Sequence, residues 1–89
     1  MIESNIEIIN KLGLHARAAA KLVSTTSAFS ASIQIGKDGK WVDGKSIMAV
    51  MMLAANKGTT LKLKTEGPDE QDAMNAITQL IDDYFGEGE

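Results

Sequence analysis

Ala31-Ser32-Ile33-Gln34-Ile35-Gly36-Lys37-Asp38-Gly39-Lys40-Trp41-Val42-Asp43 is the stretch that decides the fold of this chain. Ile33 and Ile35 alternate with polar residues, the period of a half-buried strand. Lys37-Asp38-Gly39-Lys40 follows, and its Asp-Gly pair tolerates the positive φ angles of a two-residue hairpin. Trp41-Val42-Asp43 is then a short return strand. A hairpin is an antiparallel pair, so the sheet cannot be the wholly parallel one that interleaved strands and helices otherwise suggest.

Working outward, Ile2 to Ile9 is predicted as a strand with Ile2, Ile6 and Ile8 on one alternating face, followed by a loop from Asn10 to Leu14 in which Gly13 is the flexible point. From Ala16 to Ser27 the period becomes helical, with Ala19, Leu22, Val23 and Thr26 on one side and alanines at 16, 18, 19 and 20 favouring helix. Phe29 is a core anchor in the next connection. Ser46 is an N-cap for the apolar run Ile47 to Ala54, and Asn56-Lys57-Gly58 is its stop signal. Thr59 to Thr65 alternates Leu61, Leu63 and Thr65 against Lys62 and Lys64. Gly67-Pro68 breaks the chain. Asp69 is placed to cap a last helix, with Glu70 and Asp72 near its positive end and Ala73, Ile77, Leu80, Ile81 and Tyr84 as its apolar stripe. Residues 86–89 read as a frayed tail on a single domain spanning 1–89. The order is βαββαβα. With the hairpin fixed, the solution is an α+β open-faced sandwich: one four-stranded, mainly antiparallel sheet with three helices on one face.

Composition removes several classes of function. The chain has 89 residues, no cysteine and one histidine, which excludes disulfides and thiolate chemistry and leaves no ligand set for zinc. Net charge is −3 with no dense basic patch, which argues against a nucleic-acid module. The start lacks the basic and apolar regions of a signal peptide, and the longest apolar run, Ile47 to Ala55, is far short of the ~20 residues of a membrane span. A cytoplasmic protein with no metal and no cofactor is the expectation.

Chemistry concentrates at Gly13-Leu14-His15-Ala16-Arg17-Ala18. The plainer reading of His15 is a helix cap or surface residue, and of Arg17 a solvated charge. The sharper one is a phosphoryl site. A neutral imidazole is a nucleophile near neutral pH and can hold a phosphoryl group through a labile P–N bond. The backbone N–H groups of Ala16 and Arg17 at the helix start, and the Arg17 guanidinium, are donors for its oxygens. No nucleotide-binding loop is present, so the phosphoryl group must come from another protein or a small phosphocompound.

Gly13-Leu14-His15-Ala16-Arg17 followed by alanines resembles the active-site motif of the HPr family, the histidine-containing phosphocarriers of the bacterial phosphoenolpyruvate:sugar phosphotransferase system. The resemblance extends to Lys45-Ser46-Ile47-Met48, to the glycine-terminated short helix and to the Glu66-Gly67 to Glu70 entry into the last helix. It implies a carrier, not an enzyme, whose His15 takes a phosphoryl group on Nδ1 from Enzyme I and passes it to a IIA domain, with Arg17 as phosphate partner. It also implies regulatory phosphorylation of Ser46 by an HPr kinase/phosphorylase. The family usually has proline after the arginine; here Ala18 stands there, compatible with the same helical turn.

The run Ile47 to Leu53 holds more apolar surface than two helical turns can bury on one side. Val50 and Leu53 are expected in the core, and Ile47, Met48 and Met51 partly exposed as a docking surface suited to several partners. Ala20 and Ser24 are expected on the same face. The chain is expected to act as a monomer. Two alternatives accompany this reading: the carrier of the nitrogen-related phosphotransferase branch, and a plain protein-interaction domain in which His15 is only a cap.

Overall fold

The hairpin forms as its sequence dictates. In the computed structural model, which describes residues 1–88, Asp38 and Gly39 take φ of 52° and 82°, the left-handed pair of a type I′ turn. They join β2 (Ser32–Lys37) to β3 (Lys40–Asp43), in register from Gln34 opposite Asp43 to Lys37 opposite Lys40. The other two strands are β1 (Ile2–Glu7) and β4 (Thr60–Glu66). The sheet order is β1-β4-β2-β3, and every pairing is antiparallel.

Alternation sets the two faces of the sheet. Ile6, Ile33, Ile35, Leu61, Leu63 and Thr65 point into the core and are buried. Glu3, Asn5, Gln34 and Lys62 face solvent, where Lys64 Nζ also lies 4.4 Å from the centre of the Trp41 ring, a cation–π contact. The inner face is covered by α1 (Ala16–Thr26), α2 (Ile47–Met52) and α3 (Glu70–Asp82). Ala18, Ala19 and Leu22 of α1, Val50 of α2, and Ala73, Met74, Ile77 and Ile81 of α3 complete one core. The small alanines let α1 lie close to its neighbours, and Ala18 is fully buried. Thr26 is buried as well, and its hydroxyl donates to Gly44 O at 2.7 Å.

Four local expectations are corrected. The short helix stops at Met52, ahead of the Asn56-Lys57-Gly58 signal, because Ala54 turns left-handed with φ 50°. Asp69 is the residue that flanks α3, but its side chain caps no helical N–H. Its carboxylate accepts from the backbone N–H groups of Ser30 and Ala31, at 2.9 and 2.8 Å, and so ties the chain before β2 to the start of α3. Tyr84 leaves the helical stripe and is exposed, whereas the next residue, Phe85, is fully buried.

The end of the chain is the fourth. Residues 86–89 read as frayed, yet Tyr84–Gly86 form a 3-10 turn. Tyr84, Phe85 and Gly86 all have positive φ, at 55°, 54° and 75°. Two consecutive non-glycine residues in that region cost energy, and burial of the Phe85 ring holds them there. The turn reverses the chain toward α1, where Lys21 Nζ donates to Phe85 O at 2.7 Å. Glu87 then reaches His15, and Glu89 lies outside the described residues.

Candidate functional site

The site begins at Asn10. Its side chain is fully buried in the turn after β1, and its Nδ2 donates to Gly13 O at 2.8 Å. Gly13 is fixed there, where a flexible point was expected. It has φ +67°, and an added Cβ would lie 2.4 Å from Ala55 O, closer than any side-chain carbon can approach. Leu14 N–H donates to that same oxygen at 2.8 Å. Glycine is required at 13 because two backbones meet, and their contact sets the entry into α1.

His15 is the residue that flanks α1, in extended backbone with φ −73° and ψ 177°, and its side chain caps no helical N–H. The first bond of the helix ladder is Ala19 N–H to His15 O, at 2.8 Å. The N–H groups of Ala16 and Arg17 precede it and are free of the ladder, as expected for donors to an anion. The imidazole is partly exposed, at 28%. Its Nε2 lies 2.5 Å from Glu87 Oε2, and Asn10 Nδ2 donates to Glu87 Oε1 at 3.0 Å. The ring therefore sits between the open end of α1 and a carboxylate delivered by the chain end.

Arg17 is exposed and makes no ion pair among the described residues. With Lys11, Leu12, Lys21, Gly86 and Glu87 it lines a shallow cleft of about 350 Å³. Lys11, Arg17 and Lys21 thus share this cleft with one carboxylate. Partial burial pushes the Glu87 carboxyl upward, but the hydrogen bonds from Asn10 and His15 and the charges of His15 and Lys21 outweigh it, and the net direction is down. Glu87 is ionised at neutral pH.

The second predicted site lies at the start of α2, which packs on α1. Ser46 Oγ accepts from Ala49 N–H at 3.3 Å, the N-cap expected of it. Lys45 is committed to the scaffold, with Nζ donating to Phe29 O at 2.7 Å. Val50 and Leu53 are buried, whereas Ile47, Met48 and Met51 are exposed, Met48 to 70%. Ala20 and Ser24 of α1 are exposed too.

Asn10, Lys21 and Glu87 were not identified from sequence. Asn10 carried a signal, as a polar residue closing an apolar strand before a glycine turn. Phe85 carried another, since an aromatic side chain so near the end of α3 needs a place to bury. Glu87, set between two glycines, carried none. Leu12 and Met52 add exposed apolar surface, at 67% and 68%, beside the residues already named.

A histidine at an open helix start, a free arginine and an exposed apolar flank, on a sandwich too shallow to enclose a substrate, define a small phosphocarrier domain. The comparisons agree. The family model described as "PTS HPr component phosphorylation site" matches residues 2–83. The phosphocarrier protein HPr of Neisseria meningitidis is 56% identical over 89 residues, the whole of both chains. The crystal structure of HPr-C-His from Thermoanaerobacter tengcongensis superposes with a TM-score of 0.95 at 50% identity, covering 98% of each chain. A structure of the HPr dimer from that organism, also 50% identical, gives 0.79 and covers 98% of this chain and all of that one. The chain belongs to the HPr family, the phosphocarriers of the phosphotransferase system.

Proposed function

We propose that His15 is the residue that carries the phosphoryl group, accepting it on Nδ1 from phosphoenolpyruvate-charged Enzyme I and passing it to IIA domains. The observation that carries this reading is the partly exposed His15 ring at the open end of α1, held by Glu87, which also lines a cleft with Arg17, Lys11 and Lys21. Phosphoryl transfer depends mainly on in-line positioning and charge stabilisation. The free N–H groups of Ala16 and Arg17 and the unpaired guanidinium supply both for a dianion bonded to His15. The chain acts as a carrier with a transient phosphohistidine and as a single copy, since all of these groups come from one chain.

Ala20, Ser24, Ile47, Met48 and Met51 form the docking surface. Flexible exposed methionines suit a face that must fit an Enzyme I and several IIA partners in turn. Ser46, at the edge of that face, is the regulatory site for an HPr kinase/phosphorylase. A phosphate there brings about −2 charge next to the docking surface and acts by repulsion, with the fold intact.

The test is labelling. Wild-type protein incubated with phosphoenolpyruvate and Enzyme I should gain one acid-labile, base-stable phosphate, and His15→Ala should gain none while keeping its circular dichroism spectrum. Labelling that survives His15→Ala overturns the assignment.

A further inference from the structure

Glu87 is not part of the resemblance that identifies the family, yet it makes the only polar contact of the His15 ring among the described residues. Four features build its position. Phe85 is fully buried and anchors the turn. Tyr84 and Phe85 hold left-handed backbone that aims the chain back toward α1. Lys21 ties Phe85 O from α1. Asn10, buried, holds the second carboxylate oxygen and fixes the carboxylate plane. Backbone strain retained next to a reactive group, with surroundings that enforce it, is a signature of functional positioning.

We infer that Glu87 is a positioning residue for phosphoryl transfer: it fixes the proton of His15 on Nε2, keeps Nδ1 bare as the nucleophile, and holds the charge the ring acquires. An ionised carboxylate can only accept a hydrogen bond, so Nε2 at 2.5 Å must carry the hydrogen. In the neutral ring Nδ1 is then the lone-pair nitrogen, and no described side chain or helical N–H occupies it. Asn10, Glu87 and His15 form a relay in which a fixed amide orients a carboxylate and the carboxylate orients an imidazole, the logic of an oriented catalytic base.

The role rests on the carrier reading above and adds the proton inventory of the step. With an N-phosphoimidazolium as donor, the Nδ1 lone pair forms the new N–P bond. The donor N–P bond breaks, and its electron pair returns to the donor nitrogen. No proton moves. The His15 ring becomes a phosphoimidazolium with its hydrogen still on Nε2, and the donor ring becomes neutral. The positive charge gained by His15 lies against Glu87, and the phosphoryl oxygens lie on the opposite edge of the ring. The hydrogen bond to Glu87 is therefore stronger after transfer than before, and only such a difference assists the step. Handing the group on runs the same inventory backwards.

The experiment has two arms, with Glu87→Gln as the main variant and circular dichroism and thermal melting to establish that it folds. In the unphosphorylated protein at about pH 9, imidazole 15N spectra should show the Nε2–H tautomer in wild type. A several-fold rise in Nδ1–H is expected in Glu87→Gln, because an amide can donate as well as accept. In transfer from Enzyme I, kcat should fall about tenfold, the size expected for losing one hydrogen bond to a charged group. KM should hold, because the docking face is untouched, and Glu87→Asp should recover part of the rate. An unchanged tautomer ratio or an unchanged kcat in folded Glu87→Gln overturns the role. A wild-type protein that takes no label overturns the carrier reading itself, and this role with it.

Discussion

Replacing Phe85 with alanine tests whether the chain end is a folded part of the domain. Phe85 is fully buried, and truncating a buried phenylalanine costs about 3–5 kcal/mol. The loss is partly offset. Once the ring is gone, Tyr84 and residue 85 can leave their left-handed conformations, recovering roughly 1–2 kcal/mol for each residue that relaxes. The Lys21 bond to Phe85 O goes with the turn, at a cost of about 1 kcal/mol. The net expectation is a loss of about 2 kcal/mol. With a urea m-value of about 1 kcal/mol/M, the midpoint should fall by about 2 M at unchanged m. In the same variant the hydrogen-bonded Nε2–H of His15 should disappear from the proton spectrum, because Glu87 no longer reaches it. A loss below about 0.5 kcal/mol, the range of surface substitutions, would refute the anchored end and the account of Glu87 together.

Gly13→Ala should cost about 2–4 kcal/mol, combining a left-handed alanine with loss of the Leu14 N–H to Ala55 O bond, because the new methyl would meet Ala55 O at 2.4 Å; equilibrium unfolding measures it, and phosphoryl transfer should slow as His15 shifts. Ser46→Asp should melt within a degree or two of wild type, since aspartate also caps helices, while slowing transfer from Enzyme I; an unchanged rate removes the inhibitory role. Acid sensitivity follows from Asp69, held below the usual carboxylate range chiefly by the Ser30 N–H, and Glu70, held down chiefly by the Gly67 N–H. A carboxyl whose folded value lies below its unfolded one adds stability above the unfolded value and loses it as pH falls through the folded one. Urea midpoints should therefore hold from neutrality to about pH 4.5 and decline below it, and Asp69→Asn should flatten that decline.

The fold was legible because its deciding features are local. Asp38-Gly39 states a hairpin, the alternation of Leu61, Leu63 and Thr65 states a strand, and the Ala19, Leu22 and Thr26 spacing states a helix. The placement of His15 and Arg17 at a helix start and the exposure of Ile47, Met48 and Met51 were legible for the same reason. What was hidden depends on residues distant in sequence. Asp69 looks like a side-chain helix cap but its carboxylate finds the Ser30 and Ala31 N–H groups, 39 and 38 positions away. Gly13 looks like a hinge until Ala55 is brought against it. Glu87 sits 72 residues from the histidine it contacts, between glycines that read as fraying. Its placement depends on the burial of Phe85 and on left-handed backbone at two residues whose types do not favour it.

Glu87 contacts Nε2 of His15, and the proposed carrier chemistry puts the phosphoryl group on the other ring nitrogen, Nδ1. The most direct measurement is a phosphorus NMR spectrum of protein charged by Enzyme I, with the site assigned through phosphorus–proton couplings to the ring. One phosphoramidate resonance assigned to His15 Nδ1, lost on addition of a IIA domain, is the predicted result. A phosphate on Nε2, or on any residue other than His15, would contradict it.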